Sequence, residues 1–349
     1  MPIYREPIFI LKAKLFSALR IVIFFAIGAV LFWLVLRNQN IDEIKSKLEA
    51  AHWSWALGAL FFGFLSNIFR ALRWNMLIHP LGFRPKVKNT FGGVMVGYMA
   101  NLAIPRLGEV MRCAVVNRYE KVPVNKLLGT VVVERVMDVL TIFLLLLVVV
   151  LLEFDKMSEF SVKYVFTPMG LKFKNFFSHG VLFYLIVVGA FAATLFIFWF
   201  LYVRFRGTKY FVKMKYLVRG FITGAKTIGK LQNRNLFLLY TVLIWLLYLM
   251  MSYVCFFCFP ATSHLGFVIA LAVMVFGGFG WAAPVQGGIG TFDIIVTQTL
   301  VLFGIAENDG LAYAILSHAT QVFAMLFFGL VTLILLPLVN RKQPTAARD

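Results

Sequence analysis

The chain has 349 residues, of which 61% are hydrophobic and 14% charged, with a mean hydropathy of +0.86. That balance excludes a soluble globular domain, in which about a quarter of the residues are charged, and makes lipid the main solvent. The formal net charge of +19 invites a nucleic-acid reading, but the basic residues collect between apolar runs, as they do in the cytoplasmic loops of membrane proteins.

In chain order, the first apolar run is Phe16 to Leu36. It follows Lys12 and Lys14 as a signal peptide would. Its length, and the Arg37-Asn38-Gln39-Asn40 that follows in place of a small-residue cleavage site, predict a retained span. Further runs of about 20 residues, enough to cross a hydrocarbon layer of about 30 Å, are Trp53 to Trp74, Leu127 to Leu152, Val181 to Val203, Leu236 to Phe259 and Leu311 to Val339. The stretch Arg204 to Asn235 carries nine basic residues and no acid, which places it in the cytoplasm. Its apolar residues recur at helical spacing, as in an amphipathic helix lying on an anionic leaflet; topology-setting charge alone is the equally weighted alternative.

Working outward from this loop, the charge distribution balances only if two further apolar segments enter the bilayer and return to the side they came from. These are residues 89–116 and 265–306. Each is broken in the middle, by Ala103-Ile104-Pro105-Arg106-Leu107-Gly108-Glu109 and by Ala283-Pro284-Val285-Gln286-Gly287-Gly288-Ile289-Gly290, and both breaks contain Pro-x-x-Gly. Non-helical backbone at membrane depth persists only inside protein or beside a wet cavity, because lipid cannot satisfy its N–H and C=O groups. The expected architecture is therefore all-α and polytopic, with six full spans plus two oppositely oriented re-entrant broken-helix hairpins, as in inverted-repeat transporters. It divides into a cytoplasmic segment 1–15, a single membrane domain 16–339 and a tail 340–349, with both termini cytoplasmic.

Charges inside such a domain need partners or a function. Glu134 and Asp138 lie at i,i+4 on one helix face beside Arg135, where the two carboxylates repel unless a cation joins them. The candidate cations are Arg70, Arg73, Arg106 and Arg112. Such a group either locks the helices together or binds substrate, and guanidinium suits the phosphate of a lipid headgroup. Asn101 and backbone N–H groups near Gly108, Gly287, Gly288 and Gly290 are further candidates for substrate contact. Glu109 and Asp293 follow the breaks and are expected in the first turns of the returning half-helices, with Thr291 as N-cap. In the last span, Ser317, His318, Thr320 and Gln321 form a polar patch, in which His318 reads first as an interhelical hydrogen-bonding residue and second as a proton carrier. Cys255 and Cys258 form a CxxC in an aromatic run and read as packed thiols. Nothing resembles a nucleotide-binding loop, a zinc motif or a nucleophile elbow, so no cofactor and no metal is expected.

The order Arg70-x-x-Arg73-Trp74, Asn101-x-x-x-Pro105-x-x-Gly108-Glu109-x-x-Arg112, Glu134-Arg135-x-x-Asp138, Pro284-x-x-Gly287-Gly288-x-Gly290 resembles the lysylphosphatidylglycerol synthase transmembrane family, over roughly residues 15 to 338. The resemblance implies a bacterial inner-membrane protein that moves a phospholipid or a polyprenyl-phosphate-linked group between leaflets. Some relatives are associated with glycosyl transfer to lipid carriers. The soluble aminoacyltransferase domain of the synthases has no counterpart in this chain, so headgroup synthesis is not expected. Two alternatives stay open: a membrane-embedded transferase using a lipid-phosphate donor, and a non-catalytic membrane scaffold. The expected partners are membrane lipids, anionic or zwitterionic, and not nucleic acid.

Overall fold

The computed structural model describes residues 30, 33, 37, 41–104, 106–154, 231, 233–283 and 285–340. The expected spans 16–36 and 181–203, nearly all of the basic loop 204–235, and the terminal segments lie outside the described residues. Nine α-helices and no strand are found among the described residues: α1 (Ile41–Glu49), α2 (Trp53–Ile78), α3 (Val87–Ala103), α4 (Leu107–Glu120), α5 (Val124–Leu152), α6 (Arg234–Phe256), α7 (Phe267–Ala282), α8 (Thr291–Leu302) and α9 (Glu307–Val339). Four helical stretches are long and apolar enough to cross a membrane: Trp53–Leu81, Val124–Leu152, Arg234–Phe256 and Glu307–Val339. They overlap four of the six expected spans; three extend further by three to seven residues at one end, and Arg234–Phe256 starts two residues before and ends three residues before the expected run. The region before α2, between two of the expected spans, holds the short helix α1. Its Ile44 is buried, and Glu43 and Lys47 bond to Asn308 and Asp309 at the start of α9.

Both Pro/Gly-rich segments are interrupted helices whose halves fold back on each other. Gly97 of α3 faces Gly108 of α4 so closely that a Cβ on Gly108 would run into the Gly97 carbonyl, and Gly93 lies against the Arg112 carbonyl. Small residues let two backbones approach in this way, and in lipid that packing replaces the hydrophobic drive that joins helices in water. The α7–α8 pair is built alike. A Cβ on Gly280 would come within 2.7 Å of the Phe292 Cα.

The two pairs occupy opposite halves of the long helices α2 and α9. The C-terminal end of α2 (Trp74, Ile78) shares a buried cluster with α3, α4 and the start of α5, whereas its N-terminal end (Ala56, Ala59) shares another with the end of α6 and with α7, α8 and α9. Along α9, Gly310 and His318 meet α8, while Gly329, Thr332 and Leu336 meet Met99 and Gly92 of α3. Contacts thus run antiparallel within each pair, and the breaks converge on the middle of α9. There Gln286 Nε2 donates to the Ala103 carbonyl over 2.8 Å, and a Cβ on Gly287 would come within 3.3 Å of the Leu102 side chain.

Gly108→Ala should overpack the α3–α4 contact and cost about 1–3 kcal/mol or more. Gly129→Ala, where nothing lies within 4 Å, should be neutral or slightly stabilising. Thermal unfolding of the two purified variants in detergent checks the contrast.

Candidate functional site

The C-terminal third of α2 carries Arg70 and Arg73 one turn apart, so both point the same way, towards the face of α5 that presents Glu134 and Asp138. Arg70 donates to Glu134 Oε1 at 2.6 Å and to Asp138 Oδ2 at 2.9 Å; Arg73 donates to Asp138 Oδ1 at 2.7 Å. From α4, Arg112 donates to both Glu134 oxygens, at 3.3 and 2.7 Å. Glu134 is fully buried, and it joins three helices. Around this centre, Tyr248 accepts from Arg70, Thr241 accepts from Arg73, and the Arg112 guanidinium lies 3.9 Å above the Trp74 ring. Trp74 is fixed in turn by donating its indole N–H to Thr130. Cation–π contact and carboxylate pairing together hold Arg112 in one orientation.

Arg135 differs from the other three arginines. It lies 3.9 Å from Glu134 and 3.8 Å from Asp138, beyond hydrogen-bond reach, and its side chain is 43% exposed. Four guanidinium groups therefore face two carboxylates, which leaves two positive charges in excess. The apolar runs outside the described residues, Phe16 to Leu36 and Val181 to Val203, contain no Asp or Glu that could offset them. An uncompensated charge at such a site costs several kcal/mol, and Arg135 stands on the more exposed side of the cluster.

The other residues singled out in the sequence lie at the two breaks. Arg106 precedes α4 with φ of 68°, is exposed, and has no carboxylate partner among the described residues. Glu109 sits in the first turn of α4, forms no ion pair with an arginine among the described residues, and has a buried carboxylate oxygen that bonds to nothing. Asn101 closes the first break: its Oδ1 accepts from the Gly108 N–H at 2.6 Å, so that amide is already engaged. At the second break Gly290, not Thr291, is the N-cap of α8, with φ of 78° that favours glycine. Asp293 accepts the Gly290 N–H at 2.9 Å, and the Thr291 hydroxyl, one residue further on, donates towards the Gly280 and Gly288 carbonyls. His318 contacts Asp293 at 3.1 Å through Nδ1 and the Gly287 carbonyl at 2.8 Å through Nε2. Cys255 and Cys258 are buried free thiols.

Sequence reading did not single out Thr241, Tyr248 or Gln286. A signal existed for Gln286, an amide inside an apolar Pro/Gly break; Tyr248 and Thr241 lie singly in an apolar helix and carry no pattern.

These features define a helical membrane protein with a buried, cation-rich polar centre beside two interrupted helix pairs. The chain belongs to the family described as the lysylphosphatidylglycerol synthase TM region, which matches residues 18–338. It is also similar to a UPF0104 membrane protein of Methanocaldococcus jannaschii, 28% identical over 107 residues, which is 30% of this chain and 32% of that protein. The aligned part thus spans about a third of that relative's length. No solved structure matches.

Glu134→Gln should cost about 3–5 kcal/mol, because it strips the charge that neutralises arginines from two other helices. Glu109→Gln, which touches none of them, should cost far less. Unfolding midpoints in detergent, compared between the two variants, check this.

Proposed function

We propose that this protein is a lipid flippase or transporter that moves an anionic, phosphate-bearing headgroup between the leaflets of a bacterial inner membrane. The observation that carries the reading is the excess of guanidinium over carboxylate in the buried arginine cluster, one member of which, Arg112, stands on the second helix of the first interrupted pair. In this proposal the pairs are re-entrant hairpins, the chain has six full spans, and both termini are cytoplasmic. Membership of the lysylphosphatidylglycerol synthase TM region family supports a lipid-related role.

The headgroup phosphate first meets Arg135, whose guanidinium is accessible and holds no carboxylate at hydrogen-bond distance. Arg70, Arg73 and Arg112 then exchange part of their bonding to Glu134 and Asp138 for the phosphate oxygens. The carboxylates thus stand in for the ligand while the site is empty. Such an exchange keeps every buried arginine paired in both states, which lowers the barrier to loading and release. Because the amides of Gly108 and Gly290 are bonded to Asn101 and Asp293, the side chains rather than the helix N-termini provide the anion's contacts. Movement of one hairpin bundle against the other gives alternating access.

Arg135→Gln should lower the flipping rate of a fluorescent anionic phospholipid in proteoliposomes about tenfold or more, with the unfolding midpoint unchanged, since the substitution breaks no close ion pair. Unchanged flipping in Arg135→Gln would sink this site. New lipid product formed from donor and acceptor lipids in detergent, where no leaflets exist, would replace the proposal with a membrane-embedded transferase.

A further inference from the structure

His318 and Asp293 form a second buried acid–base cluster among the described residues, and the arginine cluster does not use them. They are 6% and 1% exposed. The imidazole is fixed on four sides. Nδ1 faces the Asp293 carboxylate at 3.1 and 3.2 Å, Nε2 faces the Gly287 carbonyl at 2.8 Å, and the rings of Trp281 and Phe292 lie against it at centroid distances of 5.1 and 4.9 Å. Among the described residues, Asp293 is the one acid within ion-pair distance of His318. Charged groups on the other elements packed on α9 have partners away from His318: Arg70 and Arg73 pair with Glu134 and Asp138, Lys47 with Glu43 and with Asp309 at the start of α9, and Lys88 donates to the Val339 carbonyl at its end.

The hydrogen-bond inventory of this pair fixes its proton count. A backbone carbonyl only accepts, so Nε2 carries a proton. A carboxylate only accepts, so the contact at Nδ1 needs a second proton, on either the ring or the acid. Both bonds therefore exist only when the pair holds two protons and is neutral as a unit. If one proton leaves to water, the unit becomes a buried anion and one bond must fail. Either Nε2 presents a lone pair to the Gly287 carbonyl, or Nδ1 presents one to the Asp293 carboxylate. The charged contact is the stronger, and the remaining proton stays between the ring and Asp293. Gly287 is then released.

Gly287 is no ordinary position. It stands in the left-handed region with φ of 58°, between Gln286, whose amide holds the Ala103 carbonyl of the first break, and Gly288. The other oxygen of this junction, Gln286 Oε1, is buried and unbonded, so the junction has few bonds besides these two.

We propose that His318 and Asp293 form a proton-binding site whose occupied state latches the two helix breaks together through Gly287 and Gln286. Loss of the proton frees the second tip from α9 and loosens its grip on Ala103. The opening itself does not depend on lipid transport. If the transport reading holds, the inference names the proton as the ion that can drive it, with the closed junction favoured on the acidic side.

Asp293→Asn separates the chemistry from the shape. An asparagine oxygen still accepts the Gly290 N–H, and its amide donates to Nδ1, so a neutral imidazole keeps its Nε2 bond to Gly287 without a second proton on the pair. His318→Phe keeps a ring but has no bond to give. The measurement is hydrogen exchange of the tip segments, residues 100–110 and 283–292, in the full chain in nanodiscs from pH 5.5 to 8.5, each rate divided by its intrinsic rate. The wild type should lose about tenfold or more of its tip protection as pH rises, Asp293→Asn should stay protected throughout, and His318→Phe should be unprotected throughout. Protection independent of pH in the wild type, or pH dependence that survives in Asp293→Asn, would overturn the latch, and neither result bears on whether lipid moves.

Discussion

The structure depends above all on Glu134. A single carboxylate, removed from water, ties Arg70 of α2 and Arg112 of α4 to α5, with Arg73 and Arg135 close by. Hydrocarbon offers these arginines no alternative partner, so the position of three helices follows from where this charge sits. Asp138, one turn further along α5, completes the pairing with α2 but leaves the count uneven. Helix geometry explains why both acids are needed: residues four apart share a face, as Arg70 and Arg73 do three apart, so two short arrays of opposite sign meet edge to edge. The excess of guanidinium over carboxylate among the described residues follows from this construction.

A second constraint shapes the breaks. Where a helix stops inside an apolar environment, its freed N–H and C=O groups must be satisfied by protein. Here each break uses side chains from within its own pair and beyond. Asn101 takes the Gly108 amide, Asp293 the Gly290 amide, Thr291 the Gly280 and Gly288 carbonyls, Gln286 the Ala103 carbonyl, and His318 the Gly287 carbonyl. Two of these bonds, those of Gln286 and His318, cross between structural units. They link the first pair to the second and the second to α9, so the same bonds that make the broken backbone tolerable also couple the units. A membrane protein with moving parts needs such joints to be few and individually breakable.

Much of this was legible in the sequence because lipid simplifies the code. Apolar runs of span length mark helices, and the ends of four of them fell within a few residues of the observed ones. The Pro/Gly breaks marked the interruptions. Glu134 and Asp138 announced a missing cation through their spacing, and Arg70, Arg73 and Arg112 were among its named candidates. What the sequence did not resolve were choices between chemically equivalent groups. Arg106 has the same charge as Arg112 but is itself in the left-handed region and exposed, and Glu109, three residues before Arg112, forms no ion pair with it. Gly290 took the capping position next to Thr291 because a positive φ was required there, which residue identity alone signals only weakly. The link from His318 to Gly287 joins residues 31 apart through a backbone carbonyl, which leaves no side-chain pattern to read.

The account rests on the claim that the arginine cluster holds more positive charge than its own carboxylates neutralise and takes an anionic lipid to balance it. Mass spectrometry of the lipids that remain bound after gentle purification tests this most directly. Enrichment of anionic phosphate lipids over the bulk membrane composition, reduced when Arg135 is replaced, is the predicted result. Retained lipids that mirror the bulk membrane, with zwitterionic species in their ordinary proportion, would contradict it.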